Sequence, residues 1–168
     1  NYTITYNNGA LTISPAALSV TASNAAKTYG QTTTFAGTEF SSSGLQNGES
    51  IGSVTLTSLG AAATANVAGS PYAITPSAVT GGTFAAGNYT ITYNNGSLTI
   101  SPAALAVTAN NAAKSYGQTV TFNGTEFTSS GLQNGESIGS VTLTSPGAAA
   151  TANVAGSPYA ITPSAATG

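Results

Sequence analysis

The sequence predicts an all-β protein made of tandem repeat domains, each a small β-sandwich or a β-grasp-like fold. The first observation is an internal repeat, because residues 1–81 match residues 88–168 at 72 of 81 positions. The second is that Thr and Ser alternate with apolar residues in short runs such as 2–6 and 54–57. Such alternation is typical of strands with one buried and one solvated face.

The first predicted element is a β-hairpin in residues 1–13. Asn8-Gly9 suits a two-residue type I′ turn, in which both positions have positive φ. The register of that hairpin places four apolar side chains on one face, namely Ile4, Tyr6, Leu11 and Ile13. The second copy repeats the same prediction around Asn95-Gly96.

The remaining strands of the first repeat are predicted near 17–22, 32–36, 52–58, 62–67 and 71–76, with equivalents 87 residues later. Residues 43–51 are the one helical candidate. Because two glycines interrupt that segment, a structured turn is expected there.

Composition excludes most catalytic and nucleic-acid-binding functions. The chain has two Lys and four Glu as its only charged side chains, and it has no Arg, Asp, His, Cys, Met or Trp. General acid–base and nucleophilic catalysis lack their usual groups, so no enzyme is expected. Two lysines cannot form a nucleic-acid footprint, and two Glu per repeat are too few for a calcium cage. No cofactor, metal site or membrane span is expected.

Three motifs together resemble a known family. They are Ala26-Lys-Thr-Tyr-Gly-Gln31, Gly44-Leu-Gln-Asn-Gly-Glu-Ser50 and the long segment 87–103 that contains Asn-Tyr-Thr-Ile-Thr-Tyr-Asn-Asn-Gly. In combination they resemble the MBG repeat of the YGX type, which occurs in large bacterial surface adhesins. The resemblance implies an extracellular, cell-surface, all-β repeat that spaces or presents an adhesive region.

The family frame implies the domain boundaries. Residues 1–13 are the closing hairpin of a preceding repeat, 14–101 form a complete repeat, and 102–168 form a repeat that lacks its closing hairpin. We expect residues 1–13 to complete a core like that of 102–168 in a neighbouring unit. The short, proline-containing junction at 13–18 predicts that adjacent repeats form a semi-rigid rod.

Two pairs of residues recur once per repeat and carry alternative interpretations. Lys27 and Lys114 are either surface lysines, with Lys27 near Glu39 or Glu49, or partners in Lys–Asn isopeptide cross-links. The tyrosines of Tyr29-Gly30 and Tyr116-Gly117 either stack on a ligand or pack their rings and bond their hydroxyls to the backbone. Packing is the favoured interpretation.

Three functions remain compatible with the sequence. The favoured one is a stalk or spacer repeat of a surface adhesin or fibre. The alternative is a self-assembling fibre or matrix subunit, whose repeats join within one chain or between identical chains by strand or hairpin complementation. The third is a module that binds carbohydrate, such as surface glycans, or a host surface.

Overall fold

The computed structural model describes all 168 residues and is all-β, with five three-residue 3-10 helices and no longer helix. It divides into a first unit, Asn1–Lys27 with Gln31–Ile100, and a second unit, Thr28–Gly30 with Ser101–Gly168. The strands of the first unit are β1 (Ala16–Ala22), β2 (Ala25–Thr28), β3 (Phe40–Ser43), β4 (Ile51–Thr57), β5 (Tyr72–Gly82), β6 (Tyr89–Asn94) and β7 (Gly96–Ser101). Those of the second are β8 (Ala106–Ala109), β9 (Phe127–Ser130), β10 (Ser140–Thr144) and β11 (Thr162–Thr167).

The first unit is a β-sandwich of two sheets. One sheet has the order β3-β1-β6, in which β1 is antiparallel to β3 and parallel to β6. The other has the order β2-β7-β5-β4. Both sheets supply one core of buried side chains, which comprises Leu18, Val20, Ala22, Val54, Leu56, Ile74, Tyr89 and Leu98. Because no α-helix packs across either sheet, the fold is a sandwich and not a β-grasp.

The predicted hairpin at Asn95-Gly96 is wrong. The flanking strands lie in different sheets, with β6 paired to β1 and β7 paired to β5, so the chain crosses from one sheet to the other between them. Neither Asn95 nor Gly96 has positive φ. Glycine is needed at position 96 for another reason, since a Cβ there would lie 2.6 Å from the carbonyl oxygens of Ala22 and Ser23.

The predicted hairpin at Asn8-Gly9 does not form either. Residues 1–15 contain no strand, and Gly9 does not have positive φ. The alternation of apolar residues was nevertheless informative, because in the equivalent segment Leu98 and Ile100 are buried and Ile91 packs against the core. A strand whose alternate side chains are buried between two sheets shows the same period-two pattern as one face of a hairpin. Around Asn95-Gly96, this burial outweighs the preference of Asn-Gly for a hairpin turn.

Two further strand predictions are wrong. Residues 32–36 form no strand. Residues 62–66 lie between two 3-10 turns, and Val67 begins the second of them. The N–H groups of Gly60 and Ala68, the second residues of these turns, donate to the side chains of Ser58 and Asn66. The strands β2 and β3 were not predicted, because each is only four residues long and neither alternates clearly. Residues 44–50 form a turn without helix, as expected.

The second unit contains two separate two-stranded sheets, β8-β9 and β10-β11. Val141 and Leu143 of β10 are buried like their equivalents in β4. However, residues 112–115 and 159–161 are not strands, although their equivalents belong to β2 and β5 of the first unit. In the first unit those two strands flank β7, and residues 101–168 contain no counterpart of β7.

Candidate functional site

Residues 89–101 close the core of the first unit. They add β6 to one sheet and insert β7 between β2 and β5 of the other. The side chain of Leu98 is 0% exposed, and Ile100 is buried beside it. One continuous segment therefore contributes a strand to each sheet.

Polar bonds hold this closing segment in register. The side-chain oxygen of Asn24 accepts the N–H of Ser97 at 2.8 Å, and the hydroxyl of Ser70 accepts the N–H of Ile100 at 2.8 Å. These acceptors lie on opposite sides of β7, one after β1 and the other before β5. Sequence reasoning missed both residues, because a single Asn or Ser outside a recognised motif carries no distinguishing signal.

A tyrosine attaches the segment to the turn between β3 and β4. The hydroxyl of Tyr89 donates to the carboxylate of Glu49 and accepts the N–H of Gln46 at 2.9 Å. The bond to Glu49 raises the pKa of Tyr89. The Gly44–Ser50 motif therefore forms a turn that binds the closing segment, which composition alone did not indicate.

The second unit has an open groove where β7 lies in the first. The groove has a volume of about 290 Å³. Its lining includes residues equivalent to β2 and to the start of β5, among them Ala112, Ala113, Tyr159 and Ile161, and it also includes Ser157, the equivalent of Ser70. The two units also differ in burial, since Leu105 is 48% exposed, whereas its equivalent Leu18 is 1% exposed.

Residues 1–13 are a near copy of the closing segment and are exposed to solvent. They match 88–100 except for Ala10 in place of Ser97. Every residue of the segment is exposed, and Leu11, the equivalent of Leu98, is 91% exposed. Its other exposed apolar side chains are Tyr2, Ile4, Tyr6 and Ile13.

The interpretation of Lys27 as a surface lysine near Glu39 or Glu49 is wrong. Lys27 is 7% exposed, and its ammonium donates to the backbone carbonyl oxygens of Gln31 and Ala62. Burial lowers its pKa. Neither hydrogen-bond partner is an Asn side chain, so the geometry provides no support for the cross-link, which stays a hypothesis.

Lys114 makes the equivalent bonds, to the carbonyl oxygens of Gln118 and Ala149, but it is only partly buried. The lysines are thus anchors for two loops of each repeat. Lys114 is more accessible than Lys27.

The two Tyr-Gly pairs occupy equivalent turns. Gly30 and Gly117 both have φ of +89°, a conformation that favours glycine and explains this part of the motif. Within the second unit, the hydroxyl of Tyr29 donates to the carboxylate of Glu136 at 2.5 Å, which raises the pKa of Tyr29. That partner is a side chain and not the expected backbone group. Tyr116 is 69% exposed, so its expected packing is not seen.

Glu39 and Glu126 stabilise equivalent turns before β3 and β9. The Glu39 carboxylate accepts the N–H groups of Ala36, Gly37 and Thr38 at 2.9–3.1 Å. These bonds favour the charged form and lower the pKa of Glu39, and the same arrangement lowers that of Glu126.

Comparison with known proteins identifies one family. The family model described as MBG domain (YGX type) matches residues 18–99 and 105–168. No curated protein and no solved structure matches the chain. The two matched ranges correspond to the closed sandwich and to the repeat with the open groove.

Proposed function

The chain belongs to the MBG domain family of the YGX type, and from that premise we propose that it is an extracellular stalk, or spacer, of a large bacterial surface adhesin or fibre. MBG domains are repeat domains typical of large surface proteins. On this proposal the chain has no catalytic activity. It holds an adhesive region away from the cell surface, and that adhesive region takes part in cell adhesion and biofilm formation.

The observation that carries the proposal is the distribution of differences between the two repeats. None of the nine positions that differ lies among the buried residues of the first unit. A spacer requires that each copy keep its core and its loop anchors, and it tolerates drift elsewhere. The differences are restricted to non-buried positions, and the few charged side chains are not gathered into one cluster. Both observations support a spacer role over a binding module.

A further feature agrees with an exposed structural role. The chain is rich in hydroxyl groups and poor in charge, with 4% charged residues.

None of the short helices in the structure could span a membrane.

Binding and display experiments test the proposal. The purified chain should show no saturable binding to glycan arrays or to host cells. A reporter domain displayed on a bacterial surface should become more accessible to antibody as one, two and four repeats are placed beneath it. Saturable binding of the isolated repeats to a glycan would contradict the spacer role and favour the carbohydrate-binding alternative.

A further inference from the structure

We propose that Asn88 and Asn95 accept N-linked glycans, and that these glycans shield the edge strand β6 that lies between them. The inference adds a modification site to the spacer role, and it rests on the extracellular location that the proposed function gives the chain. Asn88 lies directly before β6 and Asn95 directly after it. The two sites therefore bracket a strand of six residues.

Both asparagines begin the acceptor tripeptide of N-glycosylation, which is Asn-x-Ser or Asn-x-Thr with any residue except Pro at x. Four such tripeptides occur in the chain. Two of them flank β6, namely Asn88-Tyr-Thr90 and Asn95-Gly-Ser97. Their placement at the two ends of one strand sets this pair apart.

The structure leaves both acceptor side chains accessible. Asn88 ends a 3-10 turn and Asn95 joins β6 to β7, and both are exposed and make no side-chain hydrogen bond. Other asparagines are used differently: the side chains of Asn24, Asn66 and Asn94 all form hydrogen bonds within the first unit. None of these three begins an acceptor tripeptide. The asparagines that hold the fold together and those that could be modified are thus different residues.

The strand β6 lacks the protection that the other edge strands of the first unit have. Two of those strands, β2 and β3, are only four residues long, and β4 is covered in part because the N–H of Val54 donates to the carbonyl of Gly37. In contrast, β6 has no charged residue and no Pro, and four of its six residues are exposed. Its Thr, Ile and Tyr residues favour strands, so its free edge is suited to pairing with another chain.

The low charge of the chain makes such a shield useful. The formal net charge is −2 over 168 residues, so electrostatic repulsion between copies is weak. Folded proteins commonly protect an edge strand with a charge, a Pro or a covering segment. A bulky, hydrated glycan at each end of β6 would obstruct a second strand in the same way.

The modification needs a separate transferase and a sugar that is activated at its anomeric carbon as a phosphate or diphosphate ester. The Nδ2 atom of the asparagine forms a bond to the anomeric carbon, while the bond from that carbon to the phosphate oxygen breaks. The phosphate or diphosphate leaves with the bonding electron pair. The amide loses one proton to a base of the transferase, so the product is a neutral, substituted amide.

Peptide mass spectrometry of the chain isolated from the surface of the cells that produce it tests the modification. Peptides that contain Asn88 or Asn95 should carry a sugar, and fragmentation that retains the sugar should locate it on the asparagine. The chain provides a matched control in Asn8. This residue is exposed and has the same neighbours as Asn95, but Ala10 occupies the third position, so Asn8 should stay unmodified.

Paired variants made in the same cells test the shield. The double variant Thr90→Ala with Ser97→Ala removes both tripeptides and keeps both asparagines. It should associate at a roughly tenfold lower protein concentration than the parent, as measured by light scattering, because the edge of β6 is then unshielded. The control Thr92→Ala changes another exposed threonine of β6 and should behave like the parent. In cells without a transferase, parent and double variant should associate alike.

Three results would overturn the proposal. They are unmodified Asn88 and Asn95 in the chain recovered from the cell surface, modification of Asn8 to the same extent, and equal association of the glycosylated parent and the double variant. Absence of the chain from the cell surface would instead contradict the proposed function on which this inference rests. The display experiment uses unmodified repeats, so the spacer role can hold where the glycans are not found.

Discussion

Replacement of Leu98 by Ala tests whether residues 89–101 hold the first sandwich together. Leu98 is fully buried between the two sheets. Truncation of a buried Leu to Ala costs about 2–5 kcal/mol, which combines lost transfer free energy and a residual cavity. We expect the upper half of that range, because neighbours from β1, β4 and β5 converge on one thin core and cannot all move inward.

The chain contains its own control for this experiment. Leu11 has nearly the same neighbours in sequence as Leu98 but is almost entirely exposed. Leu11→Ala should therefore change the free energy of unfolding of the first unit by less than about 0.5 kcal/mol. The two variants separate the effect of sequence from the effect of burial.

Hydrogen exchange with mass spectrometry can report the two units separately. Peptides that contain Leu59 come from the first unit, and those that contain Pro146 come from the second. The protein should be dilute, so that association does not contribute to protection. Leu98→Ala should accelerate exchange in β4 and β5 and leave β10 unchanged. If Leu98→Ala lowers the free energy of unfolding of the first unit by less than about 1 kcal/mol, or if Leu11→Ala lowers it equally, the role given to residues 89–101 is refuted.

Three other predictions concern single positions. Gly96→Ala should destabilise the first unit by about 1–3 kcal/mol, because its Cβ would overlap two carbonyl oxygens, whereas Gly9→Ala should be neutral. Thermal unfolding measures both variants, and equal effects would contradict the close approach of Gly96 to those carbonyl oxygens. An amine-reactive acetylating reagent should modify Lys114 several-fold faster than the buried Lys27 in the native protein, and the two lysines should react at equal rates in urea. Peptide mass spectrometry measures both rates, and equal rates in the native protein would contradict the burial of Lys27. Because its pKa is lowered in the folded state, Glu39 should contribute stability above its ordinary pKa of 4.5 and lose it as the pH falls towards the folded value. Glu39→Gln should flatten that part of an acid-denaturation curve, and an unchanged slope would contradict the assignment.

The sequence was sufficient for the fold class, the family and the position of most long strands, because these depend on periodicity and on motifs. It was not sufficient for strand pairing. The alternation around Asn95-Gly96 is equally consistent with a hairpin and with a crossing between sheets. Only the requirement that Gly96 pass close to the end of β1 distinguishes them, and that requirement involves residues more than 70 positions away.

The candidate site was predictable in outline and not in detail. The alignment of the two repeats predicts that residues up to 101 belong to the first repeat, and in the structure residues 89–101 pack against its core. The acceptors Asn24 and Ser70, and the bond from Tyr89 to Glu49, depend on three-dimensional proximity. The burial of Lys27 was missed because a lone lysine in a polar sequence is usually exposed.

Residues 1–13 and 88–100 show that the environment, and not the local sequence, decides the structure of this segment. Twelve of their thirteen residues are identical, yet one copy forms two buried strands and the other forms none. The strands therefore form only where two sheets are available to receive them.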